Sequence, residues 1–171
     1  MKRSEVCFAF ACDKNYFDYF NILVDSIERN TSISYDYHLF SFDDLPISKA
    51  VVEFELHKLS IEDFDYLPLN VHLTPETYIR FVIPKYLDRY DYVIYLDVDM
   101  LVLGDIDDLV KRIYDVPFIG AVDAMDSSLA AHHNLHRYWN AGLLVVNTKW
   151  WIKNNVEVKL FDRLQDKYFV K

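Results

Sequence analysis

The chain has 171 residues, of which 52% are hydrophobic and 16% aromatic, with only 3 Gly and 5 Pro; that composition suits one packed domain and argues against a disordered or low-complexity chain. A formal net charge of −9 excludes non-specific nucleic-acid binding, which needs a basic face, and it makes any phosphorylated ligand depend on a locally cationic site. No apolar run is long enough to span a bilayer, so no transmembrane segment is expected.

Lys2-Arg3 followed by Val6 to Ala11 imitates a leader, but the apolar run is short and Asp13-Lys14 follow at once. It reads instead as a first strand, buried on both faces and opening into a polar loop. Cys7 and Cys12 fall on opposite faces of that strand and read as free thiols of a reducing, cytoplasmic compartment. Any membrane association is then left to a C-terminal part beyond Lys171. Phe17, Phe20, Val24 and Ile27 recur at helical spacing and predict a helix over about 17–28. Asn30-Thr31-Ser32 is formally a glycosylation acceptor, which carries little weight without export.

Tyr35 to Phe42 and Val51 to Leu59 read as strands separated by a loop containing Pro46. Pro68-Leu69-Asn70 breaks the chain. Thr74-Pro75-Glu76 then supplies an N-cap, a first-turn proline and a first-turn acid, so a helix starts there, with a kink expected near Ile83 ahead of Pro84. Tyr92 to Leu96, Phe118 to Val122 and Gly142 to Val146 are further strands, and the chain from Thr148 is helical. Strands alternating with helices predict an α/β fold, a single domain over 1–171 with a mostly parallel, doubly wound sheet flanked by helices. Ligands of such sheets bind at the carboxyl ends of the strands.

The stretch Tyr92 to Leu103 is apolar and β-prone except for Asp97 and Asp99. Ionised carboxylates are costly to bury alone, and residues i and i+2 of a strand share a face, so the pair offers its oxygens to one place. A hard divalent cation, Mn²⁺ or Mg²⁺, suits that all-oxygen set. No Cys and His ligand set for zinc is visible; of the six histidines, His38, His57, His72, His132, His133 and His136, the adjacent His132 and His133 form no ligand spacing. Polar clusters at Cys12 to Tyr16, at Asp123 to Asp126 and at Asn140-Ala141-Gly142 stand at the same predicted rim. Each has a plainer reading as well. Asp13 and Asn15 suit a turn, Arg80 a surface ion pair, and Asp123 and Asp126 a solvated loop. Asp105, Asp107 and Asp108 suit the start of a short helix, and Trp150 and Trp151 suit packing.

Four segments in order, Phe10 to Tyr16, Pro68-Leu69-Asn70 leading to Thr77-Tyr78-Ile79-Arg80-Phe81, Tyr95 to Val102, and Trp139 to Asn147, resemble the retaining glycosyltransferases of family eight, which include bacterial lipopolysaccharide galactosyl- and glucosyltransferases and glycogenin. The resemblance implies a fold of GT-A type and a UDP-sugar donor, UDP-glucose or UDP-galactose, with Mn²⁺ or Mg²⁺ and a saccharide or glycolipid acceptor. By that similarity Asp13, Asn15 and Tyr16 meet the uracil and ribose, and Val98 contributes backbone to the nucleotide. Asp97 and Asp99 ligate the metal, and Arg80 lies near the diphosphate or sugar. Asn140 and Ala141, with Asp123, contact the donor sugar, which makes Asn140 and Asp123 the candidate catalytic residues. No nucleophile stands out for a double displacement, and the family suggests front-face substitution; the residues themselves choose neither.

Two family segments, an Asp-Gln-Asp stretch and a later His-x-x-Gly-x-x-Lys-Pro motif, are not in these 171 residues, so the chain reads as the nucleotide-binding part of a longer enzyme. Two rival readings follow from the same residues. A haloacid-dehalogenase-type phosphatase also places Asp-x-Asp after an apolar strand, but at the start of its domain, whereas here a β, α, β, β unit precedes it. A non-catalytic nucleotide-sugar-binding module is the other.

Overall fold

Every residue of the first strand, β1 (Val6–Ala11), is buried, because apolar helices cover the sheet on both sides, as in parallel α/β proteins generally. The structure, a computed structural model, describes residues 5–64, 74–125, 127–132 and 136–169, with no side chain described at 127, 129, 132 or 165–169. Val6, Phe8 and Phe10 pack against the α1 (Phe17–Glu28) residues Phe17, Phe20, Leu23, Val24 and Ile27 and against Val110 and Ile113 of α3 (Asp107–Ile113). Cys7, Ala9 and Ala11 meet Tyr78, Ile79, Val82 and Ile83 of α2 (Pro75–Tyr86) and Trp151 of α5 (Thr148–Lys153) on the other side. Cys7 and Cys12 are buried free thiols in these two separate cores.

The sheet also contains β2 (Asp36–Ser41), β3 (Glu55–Lys58), β4 (Tyr92–Leu96), β5 (Ile119–Asp123) and β6 (Trp139–Asn147), in the spatial order β3-β2-β1-β4-β6-β5. The pairs β1/β2, β1/β4 and β2/β3 are parallel, while β6 runs antiparallel to both β4 and β5. Helices α4 (Ser127–His132) and α6 (Val156–Phe169) complete the element order.

Four expectations change. The strand expected over Val51 to Leu59 is paired only over Glu55–Lys58. The preceding backbone bonds to α1 instead, since Asn21 Oδ1 accepts from the Val51 amide and Asn21 Nδ2 donates to the Lys49 carbonyl. Helix α2 runs unbroken through Pro84 to Tyr86; the amide that proline lacks falls in the final turn, where five α2 side chains are already buried. Thr74 occupies the N-cap position without a side-chain cap bond, and Pro75 begins the helix. The last strand begins at Trp139 rather than Gly142, because an antiparallel β6 pairs Asn140 with Val122 and gives the Gly142 carbonyl to the Asp97 amide at 2.8 Å. The chain break expected at Pro68-Leu69-Asn70 lies outside the described residues, as do His72, Asp126 and His133.

The Asn30-Thr31-Ser32 segment is spent internally. Asn30 Nδ2 donates to the Ser26 and Val102 carbonyls, and the Val102 amide donates to Ser26 Oγ. Thr31 Oγ1, the Ser32 amide and hydroxyl, and Tyr35 Oη all donate to the buried carboxylate of Asp107, at 2.6, 2.9, 2.8 and 2.8 Å. These bonds hold the Asp107 carboxyl well below its ordinary pKa, with Thr31 as the largest contributor. Asp107 therefore ties α3 to the loop between α1 and β2, beyond the helix-start role its sequence position suggested.

A carboxyl with a depressed folded-state pKa adds stability that is present above its unfolded value near 3.9 and is lost as pH falls toward the folded value. Asp107→Asn should lower the midpoint of thermal unfolding at neutral pH by about 5–10 °C, the size of losing about 2–3 kcal/mol in a chain of this length. The variant should also lose less stability than the parent between pH 5 and 2, where the unfolded parent takes up a proton at Asp107 that the folded one refuses, as read by circular dichroism melts.

Candidate donor-binding site

The carboxyl ends of β1 and β4 lie side by side, since Ala9 pairs with Tyr95 in parallel register. Two residues further along both strands come Ala11 and Asp97, and then the loops that begin at Cys12 and Val98. Strand alternation stops at Leu96. Asp97 and Asp99 therefore do not share a strand face; they stand on a turn closed by the Met100 amide donating to the Asp97 carbonyl at 3.2 Å. The turn still leaves both carboxylates at the rim, with Asp99 exposed and the buried Val98 side chain anchoring the loop between them.

Asp97 is held from beneath. Its Oδ1 accepts from Tyr95 Oη at 2.7 Å and from Arg80 Nη2 at 3.1 Å. Arg80 also donates from Nε to the Thr77 carbonyl at 2.9 Å and from Nη1 to the Ala141 carbonyl at 2.8 Å, with its guanidinium 5.0 Å from the Tyr95 ring centroid. The arginine is 13% exposed, so it is no surface ion-pair residue. It links α2, β4 and β6 through a planar fork that lysine cannot reproduce. Burial, followed by the nearby charges, drives the Tyr95 phenol pKa far up; Arg80 opposes that rise and Asp97 adds to it. Tyr95 thus stays protonated and donates to Asp97 throughout the physiological range.

Gly142 is the close-approach position. A Cβ there would lie 3.0 Å from both Asp97 Oδ2 and Asn140 Oδ1, and Asn140 Oδ1 accepts from the Gly142 amide at 2.7 Å. Absence of a side chain lets the two oxygens crowd one spot. Asp123 takes no part in this group. It pairs with Trp139, one residue before Asn140, and so sits on the opposite face of the hairpin. There its carboxylate accepts from the Met125 amide at 2.9 Å and faces Arg137 at 3.8 Å.

Asp13 caps the short 3-10 turn Lys14–Tyr16. Its Oδ1 accepts from the Asn15 and Tyr16 amides, and its Oδ2 accepts from Asn15 Nδ2 at 3.2 Å. The turn presents the half-exposed ring of Tyr16, whose centroid lies 5.3 Å from that of Tyr19. Asp43, from the loop after β2, accepts from the Lys14 amide. Burial first, then the charges of Asp13, Asp43 and Glu76, push the Cys12 thiol up to about 12. The rim is anionic.

Among the described residues Asp97 Oδ2 and both oxygens of Asp99 accept no hydrogen bond. That donor set fits a hard divalent cation held by carboxylate oxygens. Sequence reasoning placed Asp97, Asp99, Arg80, Asn140 and Gly142 at this rim but missed the part of Tyr95, which depends on its ring meeting Arg80 and its hydroxyl meeting Asp97. It also missed a group of His38, Glu55 and His57, for which neighbouring strands supply the proximity.

The sequence profile described as glycosyl transferase family 8 matches residues 7–168. The lipopolysaccharide 1,3-galactosyltransferase of Salmonella typhimurium is 26% identical over 92% of this chain and 53% of its own length. A lipopolysaccharide 1,2-glucosyltransferase of Escherichia coli is 29% identical over 68% of this chain and 37% of its own length. Among solved structures, the galactosyltransferase LgtC in complex with donor and acceptor sugar analogs superposes with a TM-score of 0.72 at 23% identity, covering 92% of this chain and 65% of LgtC. The likeness bears out the GT-A type fold. The chain spans about half the length of the curated galactosyltransferase it matches.

Gly142→Ala should leave the melting midpoint within about 3 °C, because the crowded atoms are side-chain oxygens at a rim. Mn²⁺ affinity, read by the free-ion signal in electron paramagnetic resonance titrations, should fall by about tenfold as Asp97 is displaced.

Proposed function

This chain belongs to glycosyl transferase family 8, and on that premise we propose that it binds a UDP-hexose, UDP-glucose or UDP-galactose, and passes the hexosyl group to a saccharide or glycolipid acceptor with retention of configuration. The observation that carries the reading is the joining of Asp97, Arg80, Asn140 and Gly142 at the carboxyl end of the central strands, where open α/β sheets bind ligands. Relatives that act on lipopolysaccharide with galactose or glucose support the substrate class.

An anionic rim repels a diphosphate, so the site needs cationic help. Asp97 and Asp99 would hold Mn²⁺ or Mg²⁺, which when bound supplies Lewis-acid stabilisation of the departing diphosphate. Arg80, already desolvated and aimed by three carbonyl or carboxylate partners, adds fixed positive charge at no cost of reorganisation. Tyr95 keeps its proton and fixes the rotamer of Asp97. The Tyr16 ring offers a stacking surface for the uracil, on a turn that Asp13 and Asn15 hold in shape. Asn140 orients the donor sugar from β6, beside the backbone of Ala141. Asp123, turned to the other face of the hairpin and facing Arg137, has a weaker claim to the catalytic place than Asn140.

Thermal melts of the chain with UDP, with Mn²⁺ and with both test this reading. Saturation at a hundred times Kd adds about 2.7 kcal/mol, or about 5–10 °C in a domain of this size. UDP and Mn²⁺ together should reach that shift while UDP alone gives little, and Asp97→Asn/Asp99→Asn should abolish the metal-dependent part. Equal shifts by UDP with and without metal would refute the assigned roles. Release of hexose from UDP-galactose and UDP-glucose, followed by chromatography, reads donor turnover separately from binding.

A further inference from the structure

We propose that His38, Glu55 and His57 form a zinc-type metal site, with two imidazole nitrogens and one carboxylate oxygen as ligands and a fourth position open to water. His38 Nδ1 lies 3.0 Å from His57 Nε2, and each nitrogen faces its own oxygen of Glu55, Oε2 at 3.6 Å from His38 Nδ1 and Oε1 at 3.6 Å from His57 Nε2. A tetrahedron with metal–ligand bonds of about 2.0–2.1 Å has edges of about 3.3 Å; the ligand atoms of the three groups all lie within 4.8 Å of one another, so a small rotation of the exposed Glu55 side chain brings one oxygen to such an ion. Two imidazoles and one carboxylate suit a borderline-soft ion such as Zn²⁺ rather than Mg²⁺ or Ca²⁺.

The surroundings of the group are those of a built site. Tyr90 Oη donates to Asp36 Oδ2 at 2.8 Å, which leaves its oxygen to accept from His38 Nε2 at 3.0 Å. That chain puts the His38 proton on Nε2 and points the Nδ1 lone pair at His57 and Glu55, the orienting role that outer carboxylates play for metal-bound histidines. His57 stacks on Phe40 with ring centroids 4.2 Å apart and planes 9° apart, which fixes its ring. Arg89 pairs with Glu55 and is the group an incoming cation must share with or displace. A cleft lined by Asp36, His38, Glu55, Arg89 and Tyr90 supplies the entry path.

The group meets Tyr90 of the connection from α2 to β4, but it stands on β2 and β3, two and three strands across the sheet from β4 and Asp97. Its ligands come from β2 and from β3, a strand of four residues at the sheet edge. A bound ion would clamp that short edge strand to its neighbour.

The experiment titrates Co²⁺ and then Zn²⁺ into the chain carrying Asp97→Asn/Asp99→Asn, so that the rim cannot account for binding. One equivalent of Co²⁺ with the intense visible bands of a four-coordinate ion, displaced by Zn²⁺ with a rise in melting midpoint, is the expected result. His57→Gln and Glu55→Gln should each weaken binding by more than about tenfold, and Tyr90→Phe, which leaves the ligands in place, by about tenfold. Failure to bind one equivalent, a weak six-coordinate spectrum, or unchanged affinity in both ligand variants would show that the group is only a hydrogen-bonded histidine pair beside an ion pair.

Discussion

The ion pair between Arg80 and Asp97 is the contact on which the rim depends. Asp97 follows the last residue of a central strand, where without a built-in cation its carboxylate would keep only the Tyr95 hydroxyl as donor. Arg80 supplies that cation from α2, and because it also donates to Thr77 and Ala141, one guanidinium fixes the helix, the aspartate and the antiparallel strand relative to each other. Such a pair on an exposed surface would contribute little. Here the arginine is desolvated, lies over the Tyr95 ring and bonds to groups on three elements, so its loss would strip a partly buried carboxylate of its counter-charge.

The antiparallel course of β6 has a direct chemical consequence. In a wholly parallel sheet only carboxyl ends reach the ligand-binding rim. Reversal of β6 brings its first residues, Trp139 to Gly142, to that rim and sets the Gly142 carbonyl against the Asp97 amide. A side-chain-free position then stands where Asp97 and Asn140 converge. The reversal also separates Asp123 from Asn140, since neighbouring residues of a strand face opposite ways.

The central rim and the edge of the sheet use opposite electrostatic designs. At the carboxyl rim, oxygen donors accumulate and are left partly unpaired, which suits a hard cation and an anionic ligand. On β2 and the edge strand β3, the buried His38 and the partly buried His57 meet a carboxylate and an arginine, with Tyr90 and Asp36 bonded in turn behind His38. Asp107 shows a third arrangement, a carboxylate satisfied by four donors of one loop, which gives rigidity and leaves no oxygen for a ligand.

Local pattern alone was sufficient for β1, α1, α2, β2 and β4, because each rests on spacing within a few residues: a continuous apolar run, a helical repeat, a first-turn proline. Contacts between distant residues decided the rest. The edge strand β3 shortened because Asn21 takes the backbone ahead of it, β6 lengthened because its partners lie on β4 and β5, and α2 passed through Pro84 because its buried face holds it to the sheet. Arg80 looked like a surface residue until folding buried it under Ala141. His38 and His57 are separated by 18 residues in the chain and meet only because β2 and β3 pair in parallel register, with Glu55 opposite His38. Residue type and spacing carry the chemistry a side chain can perform, whereas burial, register and strand direction, which set its partners and proton state, exist only once the sheet has formed.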